Sequence, residues 1–286
     1  MGKIEFGFHA SAGGKIEKLP QKVDDLGGEC FQFFSRNPYG GQVKDWEKEK
    51  LNKFFIEIKK FGISNYFIHA PYFINLASKN ERIFSNSIEA LKIDLRRMEK
   101  IKGNFVVTHL GSAKDFIGEP NAENLARERI SEGLCRIIGN RLKVPLLLEI
   151  ASGAGAIMGS NLEEIEFFIK RFPQLGGFCL DTAHAFASGY DIRSEKKLNL
   201  FFADLDQKIG LDKLKLVHFN DSGGKIGSKI DRHRHLGEGE IGLEAFERIV
   251  DYFKGRDYNV SIILETPTEE GLKRDLALLK KFRAKK

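Results

Sequence analysis

Short apolar segments recur along the chain, and longer segments with a helical spacing of apolar residues separate them. Several of the short segments are continuous apolar runs bounded by turn residues, which is typical of parallel strands buried on both faces. The pattern predicts eight strands, at residues 4–9, 29–34, 65–69, 105–109, 145–149, 177–181, 215–218 and 260–265.

The segments between these strands place their apolar residues on one face of a helix. One stripe covers residues 51–61 at i, i+3, i+4 and i+7 spacing and stops at Gly62, a residue type that often ends helices. A second stripe covers residues 88–98, and Asn161 followed by Glu164 predicts the start of another helix.

The alternation of strand and helix predicts the fold. Eight strand-plus-helix units are the content of a (β/α)₈ TIM barrel, so we expect one α/β domain over residues 1–286 with its active site at the C-terminal ends of the strands. An open, doubly wound sheet is the alternative, but no G-x-G-x-x-G follows the first strand.

Composition narrows the class of protein. The chain is 42% hydrophobic and 30% charged, which excludes disorder, and no apolar stretch approaches the roughly 18 residues of a membrane span. The charged N-terminus is unlike a signal peptide, so we expect a soluble, cytoplasmic protein, and a monomer since no spare apolar helix face is evident. The net charge of +6 is compatible with a polyanionic partner without requiring one. Cys30, Cys135 and Cys179 are widely spaced and are interpreted as buried small hydrophobes.

Six metal-competent side chains come at the ends of predicted strands, each directly after an apolar run. Any one of them alone is explained as a capped or ion-paired core residue. Six at equivalent positions would be desolvated together at great cost, and a bound cation removes that cost. The residues are His69, His109, Glu149, Asp181, His218 and Glu265.

Two neighbouring motifs add three more candidate ligands. His184 follows Asp181 by one helical turn, and Asp231 and His233 form a D-x-H triplet. Five histidines and four carboxylates suit two or three ions, and this mixture favours Zn²⁺, with Mn²⁺ or Fe²⁺ as alternatives. Three divalent ions outweigh the negative charge of four carboxylates, and an open site with a net positive charge suits a phosphate ester. His9 is interpreted as a residue on the floor of the site or as purely structural. His235 is interpreted as structural, or at most as a contact to phosphate or to a metal ligand.

These motifs resemble endonuclease IV, the zinc-dependent apurinic/apyrimidinic endonucleases, over nearly the whole chain. The segments that carry the resemblance are residues 69–78, 180–191, 217–222, 227–237 and 265–267. The resemblance implies three zinc ions, one of them compatible with Mn²⁺, and Glu149 shared between the first two. The implied ligand sets are His69, His109 and Glu149; Glu149, Asp181, His218 and Glu265; and His184, Asp231 and His233.

The resemblance also implies the reaction and its partner. The expected activity is hydrolysis of the phosphodiester 5′ to an abasic site in double-stranded DNA, leaving a 3′-hydroxyl and a 5′-deoxyribose phosphate. Glu149 and Glu265 are the implied catalytic carboxylates. Loops after the strands would enter the minor groove, with Tyr72 and Phe73 filling the vacated base stack; Phe73 is alternatively a core residue under its loop. The full set of expected DNA contacts is Arg36, Asn37, Tyr72, Phe73, Lys229 and Arg232.

One departure and two alternatives accompany this interpretation. Ile150 stands where the family more often has a hydrogen-bonding residue, which puts support of the neighbouring Glu149 in question.

A sugar isomerase or epimerase on the same barrel is the alternative enzyme, but it needs only one or two metals and no third ligand set. A non-catalytic binder of damaged DNA would lack part of the first metal pair, which here is complete.

Overall fold

Eight parallel strands close into a barrel in the computed structural model, which describes residues 2–11, 13–139, 142–256 and 259–285. Each barrel strand pairs with the next along the chain, and β10 closes onto β1. A two-stranded hairpin, β8–β9, lies outside the barrel sheet. The strands are β1 (Ile4–His9), β2 (Cys30–Phe34), β3 (Tyr66–His69), β4 (Phe105–Thr108), β5 (Leu146–Glu149), β6 (Gly177–Asp181), β7 (Leu214–His218), β8 (Asp221–Ser222), β9 (His233–Arg234) and β10 (Val260–Leu264).

The predicted (β/α)₈ barrel is therefore confirmed, with strand ends shifted by at most one residue. Met1 and Lys286, the ends of the predicted domain, lie outside the described residues. The α-helices of the described chain are α1 (Leu19–Asp25), α2 (Lys48–Phe61), α3 (Glu81–Ile101), α4 (Ala122–Ile138), α5 (Leu162–Arg171), α6 (Thr182–Ser188), α7 (Glu195–Lys208), α8 (Leu243–Lys254) and α9 (Glu269–Ala284).

The helix ends follow from local chemistry. Gly62 adopts a φ of +65° and its N–H closes the last turn of α2. The Asn161 side chain accepts a hydrogen bond from the Glu164 N–H at 2.8 Å, which caps α5 as predicted. Glu164 does not complete a capping box with Asn161, because its carboxylate accepts from the Gly159 and Ser160 N–H groups instead.

The alternation of side chains along each strand determines where the site lies, because every second residue points into the barrel. An apolar cluster fills the interior, and two residues further along each strand comes a polar side chain at the C-terminal end. On β1 the interior position is Gly7, where a Cβ would lie 1.9 Å from the Cys30 carbonyl oxygen, so only glycine fits. The apolar cluster is Cys30, Phe67, Val107, Leu147, Cys179, Leu216 and Ile263. The polar ring beyond it is His9, Gln32, His69, His109, Glu149, Asp181, His218 and Glu265.

Two further expectations concern cysteines and membranes. Cys30 and Cys179 are buried, as predicted, but Cys135 is exposed, because its position on α4 faces solvent. No helix within the described part of the chain has both the length and the apolar composition of a membrane span.

Candidate metal centre

The nine predicted metal ligands converge at the C-terminal end of the barrel. They lie at the ends of β3, β5, β6 and β7, directly after β4 and β10, on helix α6, and in the hairpin segment that includes β9. A cavity of about 420 Å³ opens onto them, lined by His9, Phe34, His69, Tyr72, His184, Asp231, His233, Glu265 and Thr266. The side chains thus combine a buried floor with an opening to solvent, which is the usual place of catalysis in this fold.

Glu149 stands at the centre of the arrangement and offers a different oxygen to each side. Its Oε2 lies 2.9 Å from His69 Nε2 and 3.4 Å from His109 Nε2. Its Oε1 lies 3.0 Å from His218 Nδ1. The His69 ring is oriented by its own Nδ1–H, which donates to the Ala70 carbonyl at 2.6 Å and leaves Nε2 free to bind a cation.

A second group forms around His218 Nδ1. Besides Glu149, Glu265 Oε2 lies 3.4 Å and Asp181 Oδ2 lies 4.0 Å from this nitrogen. Asp181 serves two purposes, because its Oδ1 accepts from the His184 N–H at 2.8 Å and so caps α6. That cap starts α6 at the strand end and brings His184 into the site one turn later.

The third group joins α6 to the hairpin. His184 Nε2 lies 3.2 Å from Asp231 Oδ1 and 3.4 Å from His233 Nε2. Asp181 Oδ2 also approaches His233 Nε2, at 3.6 Å, so this carboxylate lies between the second and third groups. The His184 Nδ1–H donates to the backbone carbonyl of Ile150 at 3.0 Å. The main chain of Ile150 thus orients His184, whereas its apolar side chain supplies no hydrogen bond to Glu149.

Histidines are the basic side chains that face the carboxylates of this site. Burial would raise the pKa of the Glu149 carboxyl, but the surrounding histidines hold that pKa well below its usual value. Burial opposes ionisation of Glu265 in the same way, and His218 and His9 hold its pKa well below the usual range. Within the described ranges, no lysine or arginine forms an ion pair with Glu149, Asp181, Asp231 or Glu265.

The donor set fits divalent cations. Three groups each place one donor atom per residue within 4.8 Å of one another: His69 with His109 and Glu149; Glu149 with Asp181, His218 and Glu265; and Asp181 with His184 and His233. Such spacing suits ions whose nitrogen and oxygen ligands lie at about 2.0–2.2 Å. The mixture of imidazole and carboxylate donors is one that zinc accepts.

The loops expected to contact DNA are only partly exposed. Asn37, Lys229 and Arg232 are exposed, and the Tyr72 side chain is 60% exposed at the edge of the cavity. Arg36 is directed inward, where its guanidinium binds the Ala90 carbonyl and lies 3.4 Å from Asp94 Oδ2. This side chain is therefore engaged with α3 rather than with the surface.

Phe73 is half-buried and packs against the hydrophobic core, with the Arg36 guanidinium 5.9 Å from its ring centroid. Tyr72, in contrast, stands over the cavity with its ring 5.1 Å from that of Phe34. Of the predicted aromatic pair, Tyr72 is the one that projects from the protein.

Several residues of the site were not predicted. Tyr39 is 83% exposed and its ring lies 5.6 Å from that of Tyr72. An aromatic residue between Pro38 and Gly40 was the signal in the sequence. Gln32 is fully buried among the predicted ligands, and the signal was a lone polar residue within an apolar strand.

The two histidines left over take structural positions. His9 lies at the floor, where Nδ1 accepts from the Gln32 amide at 3.0 Å. His235 is buried, with Nδ1 2.7 Å from Asp275 Oδ2 and Nε2 3.0 Å from Thr268 Oγ1. Both of its ring nitrogens are engaged, so His235 anchors the hairpin to α9 and is no phosphate contact.

Comparison with known proteins places the chain in a family. The profile described as xylose isomerase-like TIM barrel matches residues 20–282. A relative from Carboxydothermus hydrogenoformans, described as "Probable endonuclease 4", is 36% identical over 285 residues, covering 98% of this chain and 96% of the relative. The crystal structure of endonuclease IV from Thermus thermophilus superposes with a TM-score of 0.82 at 28% identity, covering 97% of this chain and 98% of that one.

More distant similarity shows the fold alone. A D-tagatose 3-epimerase-like protein superposes with a TM-score of 0.69 at 20% identity, covering 97% of this chain and 96% of that chain. Epimerases and nucleases thus share this barrel, and the identity of the chain rests on the endonuclease relatives. These relatives confirm the resemblance predicted from the motifs. The chain belongs to the endonuclease IV family of nucleases, within the xylose isomerase-like TIM barrels.

Proposed function

We propose that this protein hydrolyses the phosphodiester 5′ to an abasic site in double-stranded DNA, leaving a 3′-hydroxyl and a 5′-deoxyribose phosphate. The observation that carries the proposal is the set of three donor groups that share Glu149 and Asp181 beneath an open cavity. In the proposed centre these groups, with Asp231 added to the third, would hold three zinc ions. The proposed ligands are His69, His109, Glu149, Asp181, His184, His218, Asp231, His233 and Glu265.

The side chains of the protein would have separate roles in such a centre. Bound ions supply Lewis acidity toward phosphoryl oxygens and lower the pKa of water. Glu149 joins the first two groups through its two oxygens and so fixes their separation. Glu265 is also a partly exposed carboxylate at the cavity, so it is placed to orient the attacking water.

The exposed loops give the proposed DNA surface. Tyr72 and Tyr39 form an aromatic pair at the cavity edge, and such a pair can replace stacking that is lost when a nucleotide leaves the duplex. Lys229 and Arg232 are exposed beside the third group and are proposed to bind phosphates. Asn37 remains a proposed contact, whereas Arg36 is proposed to hold its loop against α3.

The test is incision of a duplex oligonucleotide that carries one abasic-site analogue, with an undamaged duplex of the same sequence as the control. We expect one cut, immediately 5′ to the lesion, with a 3′ end that a DNA polymerase extends. Equal cutting of both duplexes would contradict the abasic specificity.

The role of Glu265 is tested separately. Glu265→Gln should lower turnover about a hundredfold, because it weakens a proposed metal ligand and the group that orients water. The dissociation constant for abasic duplex should stay near that of the wild type, because Glu265 is not a proposed DNA contact. Equal losses in turnover and affinity would show that Glu265 mainly supports the fold.

A further inference from the structure

His218, the histidine of the second donor group, is oriented by a different kind of partner from His69 in the first group and His184 in the third. His69 and His184 each donate the ring N–H that faces away from the site to a backbone carbonyl, of Ala70 and Ile150. The corresponding nitrogen of His218, Nε2, lies 2.9 Å from the side-chain oxygen of Gln32. A backbone carbonyl is present whatever the sequence, whereas a side-chain partner depends on the residue at that position.

Gln32 is buried completely and contacts three members of the polar ring. Its Nε2 lies 2.7 Å from Glu265 Oε1 and 3.0 Å from His9 Nδ1, and its Oε1 faces His218. The amide orientation is fixed by Glu265, because an amide oxygen at 2.7 Å from a carboxylate would be repelled. The N–H groups therefore point to Glu265 and His9, and the oxygen accepts from His218.

This orientation determines the tautomer of His218. A neutral imidazole that donates from Nε2 keeps its lone pair on Nδ1. Nδ1 is the nitrogen that faces Glu149 and Glu265, at 3.0 and 3.4 Å. Gln32 thus holds the His218 ring with its metal-binding atom directed at the second donor group.

A second buried amide approaches the same group from the other side. Asn220 Nδ2 lies 2.7 Å from Asp181 Oδ2 and 3.4 Å from Glu265 Oε2, and Asn220 Oδ1 accepts from the Glu265 backbone N–H at 2.9 Å. Asn220 is itself held by its N–H, which donates to Thr182 Oγ1 at 2.9 Å. Each oxygen of Glu265 therefore faces one amide, of Gln32 or of Asn220.

We propose that Gln32 and Asn220 are a positioning pair that presets Asp181, His218 and Glu265 for the second ion. The proposal rests on the proposed function, because it assigns these three residues to one cation. Neither amide is a proposed ligand or touches the reacting atoms. Their contribution is to fix which nitrogen of His218 and which oxygens of the carboxylates face the ion.

Removal of the Gln32 amide should loosen one ion selectively. Gln32→Met keeps the length of the side chain but leaves His218 Nε2 without its amide acceptor and removes the amide donor from Glu265 Oε1. Loss of such outer partners lowers metal affinity about 10–100-fold. Gln32 contacts neither His69 in the first group nor His184 in the third, and both keep their backbone partners, so those two ions should leave at wild-type rates.

The experiment measures zinc release from the purified holoenzyme into a chromogenic chelator, with no DNA present. Phe33→Leu is the matched control, because Phe33 is buried on the same strand but packs in the outer core, away from the ligands. We expect one of about three ions to leave about 10–100-fold faster from Gln32→Met, and Phe33→Leu to release zinc like the wild type. Asn220→Ala provides a second variant that should free the second ion and also loosen the third, because Asn220 holds Asp181, which belongs to both groups.

Two results would contradict this inference. If Gln32→Met and Asn220→Ala both fold and release all ions at wild-type rates, the amides are structural only. If all ions are released faster by these variants and by Phe33→Leu alike, general loosening of the barrel is responsible. A wild-type holoenzyme that holds fewer than two ions would instead overturn the proposed function, and this inference with it.

Discussion

The two ends of the barrel both bury polar groups, but they satisfy them differently. At the N-terminal end, Glu5 lies 2.5 Å from Lys3 and accepts from Asn65, which in turn accepts from Asn104 at 2.9 Å. At the C-terminal end, the carboxylates face histidines and amides, and along the described segments no lysine or arginine pairs with them.

The N-terminal carboxylate is therefore paired by groups of the chain itself, whereas the C-terminal carboxylates need a bound cation to balance their charge. A buried carboxylate without a strong cationic partner is unfavourable, so a structure that retains the buried Glu149 and Asp181 beside Glu265 and Asp231 is organised to bind a cation. The N-terminal network stabilises the fold and the C-terminal network provides the chemistry.

The largest effect is expected at Glu149, which serves two donor groups. Glu149→Gln should empty both of the first two groups and, since an ion is worth several kcal/mol of transition-state stabilisation, lower incision by about a thousandfold or more. Elemental analysis and single-turnover incision measure the two losses. Unchanged metal content would contradict the shared position.

A smaller loss is expected at His109, which belongs to the first group only. His109→Ala should reduce bound metal to fewer than three ions per chain, because one donor of that group is removed. The check is elemental analysis of protein purified without added metal. A variant with the full wild-type content would remove His109 from the set of ligands.

DNA affinity should depend on the exposed aromatic residues of the C-terminal end. Tyr72→Ala should weaken binding to abasic duplex about tenfold, within the range of one stacked base, and Phe73→Ala should weaken it less because Phe73 is half-buried. Dissociation constants at a single salt concentration decide this. The reverse order would show that Phe73 is the wedge.

The N-terminal end should affect stability and leave incision unchanged. Arg283 binds both oxygens of Glu29, at 2.7 and 2.8 Å, and the Phe6 N–H donates to the same carboxylate at 3.0 Å. Glu29→Gln should lower the free energy of unfolding by about 1–2 kcal/mol at pH 7, with normal turnover. Reduced turnover at full metal content would mean that the two ends are not independent.

The same variant gives a pH test. Burial raises the pKa of Glu29, but the hydrogen bonds from Arg283 and the Phe6 N–H outweigh it, so the folded-state pKa lies below the ordinary value. A depressed pKa adds stability above the unfolded pKa of about 4.3, and this is lost as the pH falls through the folded value. Urea unfolding of the wild type and Glu29→Gln should therefore converge between about pH 5 and pH 3. A constant difference would contradict the ion pair.

The alternation of strands and helices predicted the barrel, and the two-residue period of the strands predicted that the ligands converge. A ligand at the end of each apolar run must face the same side as the interior residue two positions earlier. Loop directions have no such period, which is why Arg36 was expected at the surface and Tyr39 was missed. Gln32 was overlooked for a different reason. The role of a buried amide depends on the charged groups that it contacts, and here these groups come from strands that are distant in the sequence.

The central claim is that the C-terminal end becomes a nuclease only when cations complete it. The most direct measurement is a zinc titration of chelator-treated protein that records incision of an abasic duplex and bound zinc in the same samples. We expect no incision at zero zinc, and a single cut 5′ to the lesion that reaches full rate as zinc approaches three ions per chain, one for each donor group. Full incision by metal-free protein, or no incision at three bound ions, would contradict it.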